Sequence, residues 1–223
     1  MSLVVAIRDK NRVVLGADKQ ITAGDFKDHI TTKIWPLEEL PGAVMGSVGS
    51  ARASQIIQYS NVIDKNMLVG GDIDTDFVIC SLAPTLAAGL KANGVKVQFP
   101  EDGDTEMMPN SFIFAYKDRA WMIWNDLSVS ELDEYFAIGS GADVARGALF
   151  ATRKLNPFER IAVSIDAAAE YTLFVDNGID IVATDYLEND DKLIAKAVGV
   201  SVDEDEPKHK PETKKQAKKP AKK

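Results

Sequence analysis

The sequence predicts an α+β fold in which two sheets lie between two layers of helix. Three observations lead there. Short apolar runs separated by polar turns occupy the start, the middle and the end of the chain, and two blocks with mixed three- and four-residue apolar spacing fall between them. The resulting order is strands, two helices, strands, two helices, strand, which stacks as helix, sheet, sheet, helix. The chain has 223 residues, 45% of them hydrophobic, enough to fill such a core. Pattern alone equally describes another α+β packing.

Leu3-Val4-Val5-Ala6-Ile7 is an apolar strand, Asp9-Lys10-Asn11 a tight polar turn, and Val13-Val14-Leu15-Gly16-Ala17 a second strand that delivers Asp18 at its end, so the three form a hairpin. Thr31-Thr32-Lys33-Ile34-Trp35 starts another apolar segment, and Ala43-Val44-Met45 is a strand closed by Gly46-Ser47-Val48-Gly49-Ser50. Ala51 to Asn66 and Thr75 to Asn93 are expected helices, the second kinked or displaced by Pro84. Strands return at Ser111 to Tyr116 and Ala120 to Trp124, joined by Lys117-Asp118-Arg119, and again at Tyr135 to Ile138. Helices follow at Ala142 to Arg153 and Pro157 to Phe174, the latter opened by an Asn156 cap and a first-turn proline. Asn177-Gly178 turns the chain into a last strand, Ile179 to Ala183.

Composition excludes several classes. A net charge of −8 argues against a nucleic-acid binder as a whole. Cys80, the only cysteine, cannot form an internal disulfide; it sits in the apolar run Phe77-Val78-Ile79-Cys80 and is expected to be a buried structural thiol in a reducing compartment. Neither a signal peptide nor an apolar stretch of about 18 residues is found, so a cytoplasmic protein with no membrane association is expected.

A boundary falls near Val200, giving a globular domain over 2–199 and a tail over 200–223 that is acidic first and lysine-rich later. Eight lysines against five acidic residues make the tail +3, so the remainder of the chain carries −11. Its composition predicts disorder. A solubilising extension and an electrostatic arm for an acidic partner both fit it.

The chemistry concentrates near the start. Removal of Met1 is expected before a small residue, and it would leave Ser2 with a hydroxyl and a free α-amine, a nucleophile and a base on one residue. Together with Gly16-Ala17-Asp18-Lys19-Gln20-Ile21-Thr22, Lys33, the glycine turn at Gly46, and Ile138-Gly139-Ser140-Gly141 ahead of a helix, this opening resembles the proteasome β-subunit family. In overall economy it is most similar to the bacterial HslV-type peptidase, and the resemblance runs from Ser2 to about Asp185.

The resemblance implies the four-layer αββα sandwich of N-terminal-nucleophile hydrolases and an endopeptidase that uses Ser2 where most members have Thr. It assigns Lys33 as the cation that eases alkoxide formation, Asp18 as its ion-pair partner, Gly46 as the backbone N–H for the oxyanion, and Ser140 as a hydroxyl close to the Ser2 amine. Thr22 and Gly49 would line a groove where an extended peptide pairs as an added strand, and Val44, Met45 and Val48 would shape an apolar pocket for the residue before the cut. It further implies homo-oligomeric stacked rings, unfolded polypeptide as substrate, access gated by an AAA+ ATPase unfoldase or another cap, and no metal or organic cofactor.

The chain departs from the family at three places. Ser replaces Thr, Leu3 replaces a commonly hydroxylic residue, and Thr172 and Val175 stand where many members carry a supporting Asp and Ser. The alternative reading is therefore a catalytically silent ring-forming scaffold or binding shell, and a small-molecule amidohydrolase is a third. Gly139-x-Gly141 lacks the third small residue of a dinucleotide fingerprint. Asp72-Ile73-Asp74-Thr75-Asp76 lacks the glycine and glutamate of a calcium loop and is expected to cap a helix. His29 and His209 are too isolated for a zinc site or a triad, and His29 is expected in an exposed loop.

Overall fold

The computed structural model describes residues 2–23, 25–29, 32–38, 40–63, 67, 73–97 and 107–199. The tail expected over 200–223 lies outside them. Eleven strands and six α-helices are formed by the described residues. One sheet has the order β10-β1-β2-β11, from Tyr135–Gly139, Leu3–Asp9, Arg12–Asp18 and Ile179–Ala183. The other has the order β5-β6-β7-β8-β9, from Ile34–Pro36, Ala43–Gly49, Asn110–Tyr116, Arg119–Ile123 and Val129–Glu131. A separate hairpin joins β3 (Gln20–Ala23) to β4 (Phe26–His29).

Period-two alternation explains the layering. Val4 and Ala6 of β1, Val13 and Leu15 of β2, Val44 of β6 and Ile113 of β7 meet between the two sheets. Their neighbours point the other way: Leu3, Val5, Ile7 and Val14 pack against Leu149, Phe158, Ile161 and Ile165 of helices α4 (Ala142–Ala151) and α5 (Pro157–Tyr171). On the far side Met45, Phe112, Phe114 and Trp121 meet Ile56 of α1 (Ala51–Tyr59) and Leu86 and Leu90 of α3 (Ala83–Ala92). Because both strands of each central hairpin are buried on two faces, they read as continuous apolar runs. The layers are helix, sheet, sheet, helix, as the sequence predicts.

Several expectations are corrected. The helix expected to reach Asn66 ends at Tyr59, and Asn61 has a positive φ of 48°. The segment from Thr75 holds α2 (Thr75–Phe77), a π-helical stretch at Val78–Leu82, and then α3, whose first turn contains Pro84. A proline without an N–H is accommodated there by widening the turn before it. Cys80 is exposed rather than buried, because Val78, Leu82 and Leu86 take the inward face. Asp74 does cap α2, accepting from the Phe77 amide at 2.8 Å. His29 is exposed as expected but ends strand β4, with Nδ1 2.6 Å from Asp176. The hairpin β3–β4, strand β9 and helix α6 (Asp190–Ala197) were not expected. Among the described residues, no helix is long and apolar enough to cross a membrane.

Candidate active site

Four segments converge on Ser2. Strand β1 begins at Leu3, directly after it, and β2 runs antiparallel so that its last residue, Asp18, arrives beside that start. Asp18 Oδ1 accepts from the Leu3 amide at 2.7 Å and from Lys33 Nζ at 2.6 Å, while Oδ2 accepts from the Gln20 amide at 3.1 Å. Lys33 Nζ also donates to the Gln20 carbonyl at 2.6 Å. Asp18 is fully buried and Lys33 is 5% exposed. Burial is the dominant influence on both groups: it pushes the Asp18 carboxyl above its ordinary value against the pull of Lys33, and pushes the Lys33 amine below its ordinary value against Asp18, Asp176 and Asp180.

The fourth segment is the junction of β10 and α4. The Ser140 amide donates to the Ser2 carbonyl at 3.0 Å, and the Ser140 hydroxyl lies 3.5 Å from the same oxygen. Ser140 therefore sits beside Ser2, with its contacts on the carbonyl. Gly139 has φ +107°, and a Cβ there would fall 1.9 Å from the Ser2 carbonyl oxygen, so only glycine lets the two strands close. The dinucleotide reading of this turn is excluded by topology, since β10 pairs antiparallel to β1.

Two cavities flank Ser2. The smaller, about 80 Å³, is edged by Thr22, Thr32, Lys33, Ser47, Gly49 and Ser54. The larger, about 320 Å³, is edged by Val48, Gly49, Asn110, Asn125 and Ser140. Gly49 belongs to both and has φ +124°; a Cβ there would meet the Pro109 carbonyl at 2.3 Å.

Of the residues singled out from sequence, Ser2, Asp18, Lys33, Ser140, Thr22, Val48 and Gly49 are brought together. Gly46, Val44 and Met45 are not. Gly46 lies within β6 opposite Ile34, and a Cβ on it would meet Val4, Ile34 and Leu15, in the packing between the sheets. Val44 is in that same inter-sheet core, and Met45 is packed under α1 and α3. The turn that faces Ser2 comes three residues later than expected, at Gly49, where β6 gives way to α1.

Residues missed from sequence include Gln20, whose carbonyl holds Lys33 and whose side chain donates to Thr22 Oγ1 and to the Leu173 carbonyl. Asp176 was missed as well; its Oδ1 accepts from the Lys19 and Gly178 amides and joins the β3 start to the turn after α5. Thr172 caps α5 and Val175 is buried under α4 and α5, so neither supplies polar support to Ser2. Asp176 had a signal, being the one carboxylate in the turn between α5 and β11. Buried Ser47 and Asn110 and partly buried Ser54 form a polar group between β6, α1 and β7, and had none beyond being polar within apolar runs.

No protein-family model matches the sequence, and the search of curated proteins gives no relative. Solved structures do match. BPH from Thiobacillus denitrificans, in complex with epoxomicin, superposes with a TM-score of 0.65 at 19% identity, over 81% of this chain and 97% of that one. Eukaryotic HslV from Trypanosoma brucei gives 0.56 at 19% identity, over 81% and 98%. Anbu, described as an ancestral beta-subunit, from Yersinia bercovieri gives 0.57 at 16% identity, over 81% and 80%. The chain thus has the fold of the proteasome-like N-terminal-nucleophile hydrolases.

Proposed function

We propose that this protein is a proteasome-like endopeptidase whose nucleophile is Ser2, freed by removal of Met1. The observation that carries the reading is the double engagement of Asp18 Oδ1, which holds the Leu3 amide and the Lys33 amine at once and so fixes a buried ion pair one residue from Ser2. An α-amine titrates near 7.7 to 8.0 when unperturbed. Lys33 beside it favours the neutral form, which serves as the base.

In the first half-reaction the Ser2 hydroxyl attacks the carbonyl carbon of the scissile peptide as its proton passes to the α-amine. The oxyanion forms against the backbone N–H of Gly49 and in the field of Lys33. Collapse breaks the C–N bond, the α-ammonium returns the proton to the departing amine, and an ester on Ser2 remains. Water then attacks that ester, gives its proton to the α-amine, and releases the new carboxylate with Ser2 restored. Thr22 and Gly49 edge the groove in which the substrate backbone would lie extended. A site that cuts any extended chain must be sequestered, which supports assembly into rings gated by an ATPase unfoldase or another cap.

Intact-mass spectrometry before and after a peptide electrophile tests the reading; epoxomicin, held in the Thiobacillus BPH structure, is one probe to include. Loss of Met1 with one adduct on Ser2, absent in Ser2→Ala, is the expected result. Retained Met1, or a free Ser2 that stays unlabelled in assembled protein, supports the silent scaffold instead. An adduct with turnover of small amides and not of unfolded polypeptide supports the amidohydrolase.

A further inference from the structure

The smaller cavity beside Ser2 is lined by hydroxyls. Besides the nucleophile, Thr22, Thr32, Ser47 and Ser54 contribute them, and the apolar side chains there are those of Ile21 and Ala51. Its floor is a constructed network. Asn110, 2% exposed, accepts from the Ser50 amide through Oδ1 at 3.0 Å, which fixes the orientation of its carboxamide. Its Nδ2 then donates to Ser47 Oγ at 2.8 Å and lies 3.1 Å from Ser54 Oγ and 3.2 Å from the Ser50 carbonyl. Ser47 and Ser54 are 3.0 Å apart, and Ser54 also reaches the Ser50 carbonyl at 3.2 Å. With Asn110 occupying Ser47 as an acceptor, the Ser47 hydrogen is left for Ser54 or for a group entering the cavity.

This cavity lies between Thr22 and Gly49, the two edges of the substrate groove, whereas Ser140 stands in the other. We infer that it receives the side chain of the residue that donates the acyl group, and that it selects a neutral hydrogen-bonding side chain, a carboxamide or a hydroxyl. The inference rests on the peptidase reading and names its substrate class. An apolar side chain would strip water from the hydroxyls and return no hydrogen bond. A carboxylate would lose its hydration, and the charge of Lys33 is already matched by its ion pair with Asp18. A cation would meet Lys33 directly. A carboxamide both donates and accepts, as the hydroxyls do.

The experiment compares three peptide electrophiles that differ only in carrying Gln, Leu or Glu next to the reactive carbonyl, with the rate of Ser2 adduct formation read by intact mass. Wild type is expected to react with the Gln probe roughly 10-fold faster than with the Leu probe, and Ser47→Ala and Ser54→Ala are each expected to reduce that ratio about 3- to 10-fold. Ser54 is only partly buried, so its variant tests the point should Ser47→Ala fail to fold. A Leu or Glu preference in wild type, or a ratio that neither variant changes, overturns the inference while leaving the nucleophile in place. Failure of all three probes to label Ser2 in protein that has lost Met1 overturns the peptidase reading and this inference with it.

Discussion

Strand β2 carries an ion pair at each end, and the two differ in the cation. At its start Arg12 donates to Asp190 at 2.5 Å, to Asp9 at 3.1 Å and to the Asp185 carbonyl at 3.1 Å, and its guanidinium lies 5.5 Å from the centre of the Phe158 ring. At its end Asp18 meets Lys33. Burial alone would push Arg12 down, but its hydrogen bonds to Asp190 and Asp9 outweigh burial and hold it above its ordinary value. Burial wins at Lys33, which is pushed down. A guanidinium bonded on several sides and unable to lose its proton is an anchor, here tying α6 to the first hairpin. An ammonium can lose its proton when buried, and Lys33, bonded to Asp18 and to the Gln20 carbonyl, edges the cavity next to Ser2. The same strand therefore ends once in an anchor and once, on the proposed function, in chemistry.

The largest effect that would break this comparison is on acylation. Lys33→Met is expected to slow adduct formation at Ser2 by about 10²–10³-fold or more, the scale of removing a transition-state charge partner, and peptide-electrophile labelling measures it. Next comes stability at the other end: Arg12→Met leaves Asp190 buried without its cation and is expected to cost about 3–5 kcal/mol in denaturant unfolding. The labelling rate of its folded fraction should be that of wild type.

Titration sharpens the contrast. Lys33 is held below its unfolded value, so between its folded value and about 10.5 the unfolded chain binds more protons; its contribution to stability rises with pH through that window and is lost as pH falls. Asp18 is held above its unfolded value near 3.8, and its contribution falls as pH rises through the interval above that value. Lys33→Met should flatten the alkaline part of the unfolding profile. Arg12→Met should leave that part unchanged, because the guanidinium keeps its proton throughout.

The smallest effect belongs to an exposed pair. Glu131, held at about 2 by its hydrogen bond from Arg119, contributes stability above about 4.5 that is lost as pH falls towards about 2. Both partners are about one-third exposed, so solvent screening limits Glu131→Gln to under about 1 kcal/mol at neutral pH, measured by thermal unfolding.

The four layers were legible in the sequence because their central strands are long apolar runs such as Leu3 to Ile7 and Phe112 to Ala115, whose alternate residues fill adjacent cores. Asp18 and Lys33 each stand at the edge of such a run, which alone reads as a surface charge; the family resemblance together with Ser2 singled them out, and the structure pairs them at 2.6 Å. The Gly49 turn was misplaced by three residues because Gly46 and Gly49 both follow the same strand, and only packing decides which one leaves it. The hairpin β3–β4 hid in polar residues, since Phe26, Lys27 and His29 are exposed and carry no alternation. Met45 and Ser47 point towards α1 while Val44 and Val48 point into the inter-sheet core. That parity was invisible while the run was read as one apolar wall, and it puts the Ser47 hydroxyl, with neither Val44 nor Met45, at the smaller cavity beside Ser2.

The most direct test of the difference between the two ends of β2 is the rate of Ser2 acylation per folded molecule in Lys33→Met and Arg12→Met side by side, with the folded fraction fixed by circular dichroism. The difference in cation predicts folded Lys33→Met molecules that acylate at least about 100-fold more slowly, although stripping the buried Asp18 of its cation costs stability there too, and folded Arg12→Met molecules that acylate at the wild-type rate. Equal losses at the two ends, each in proportion to unfolding, would contradict it.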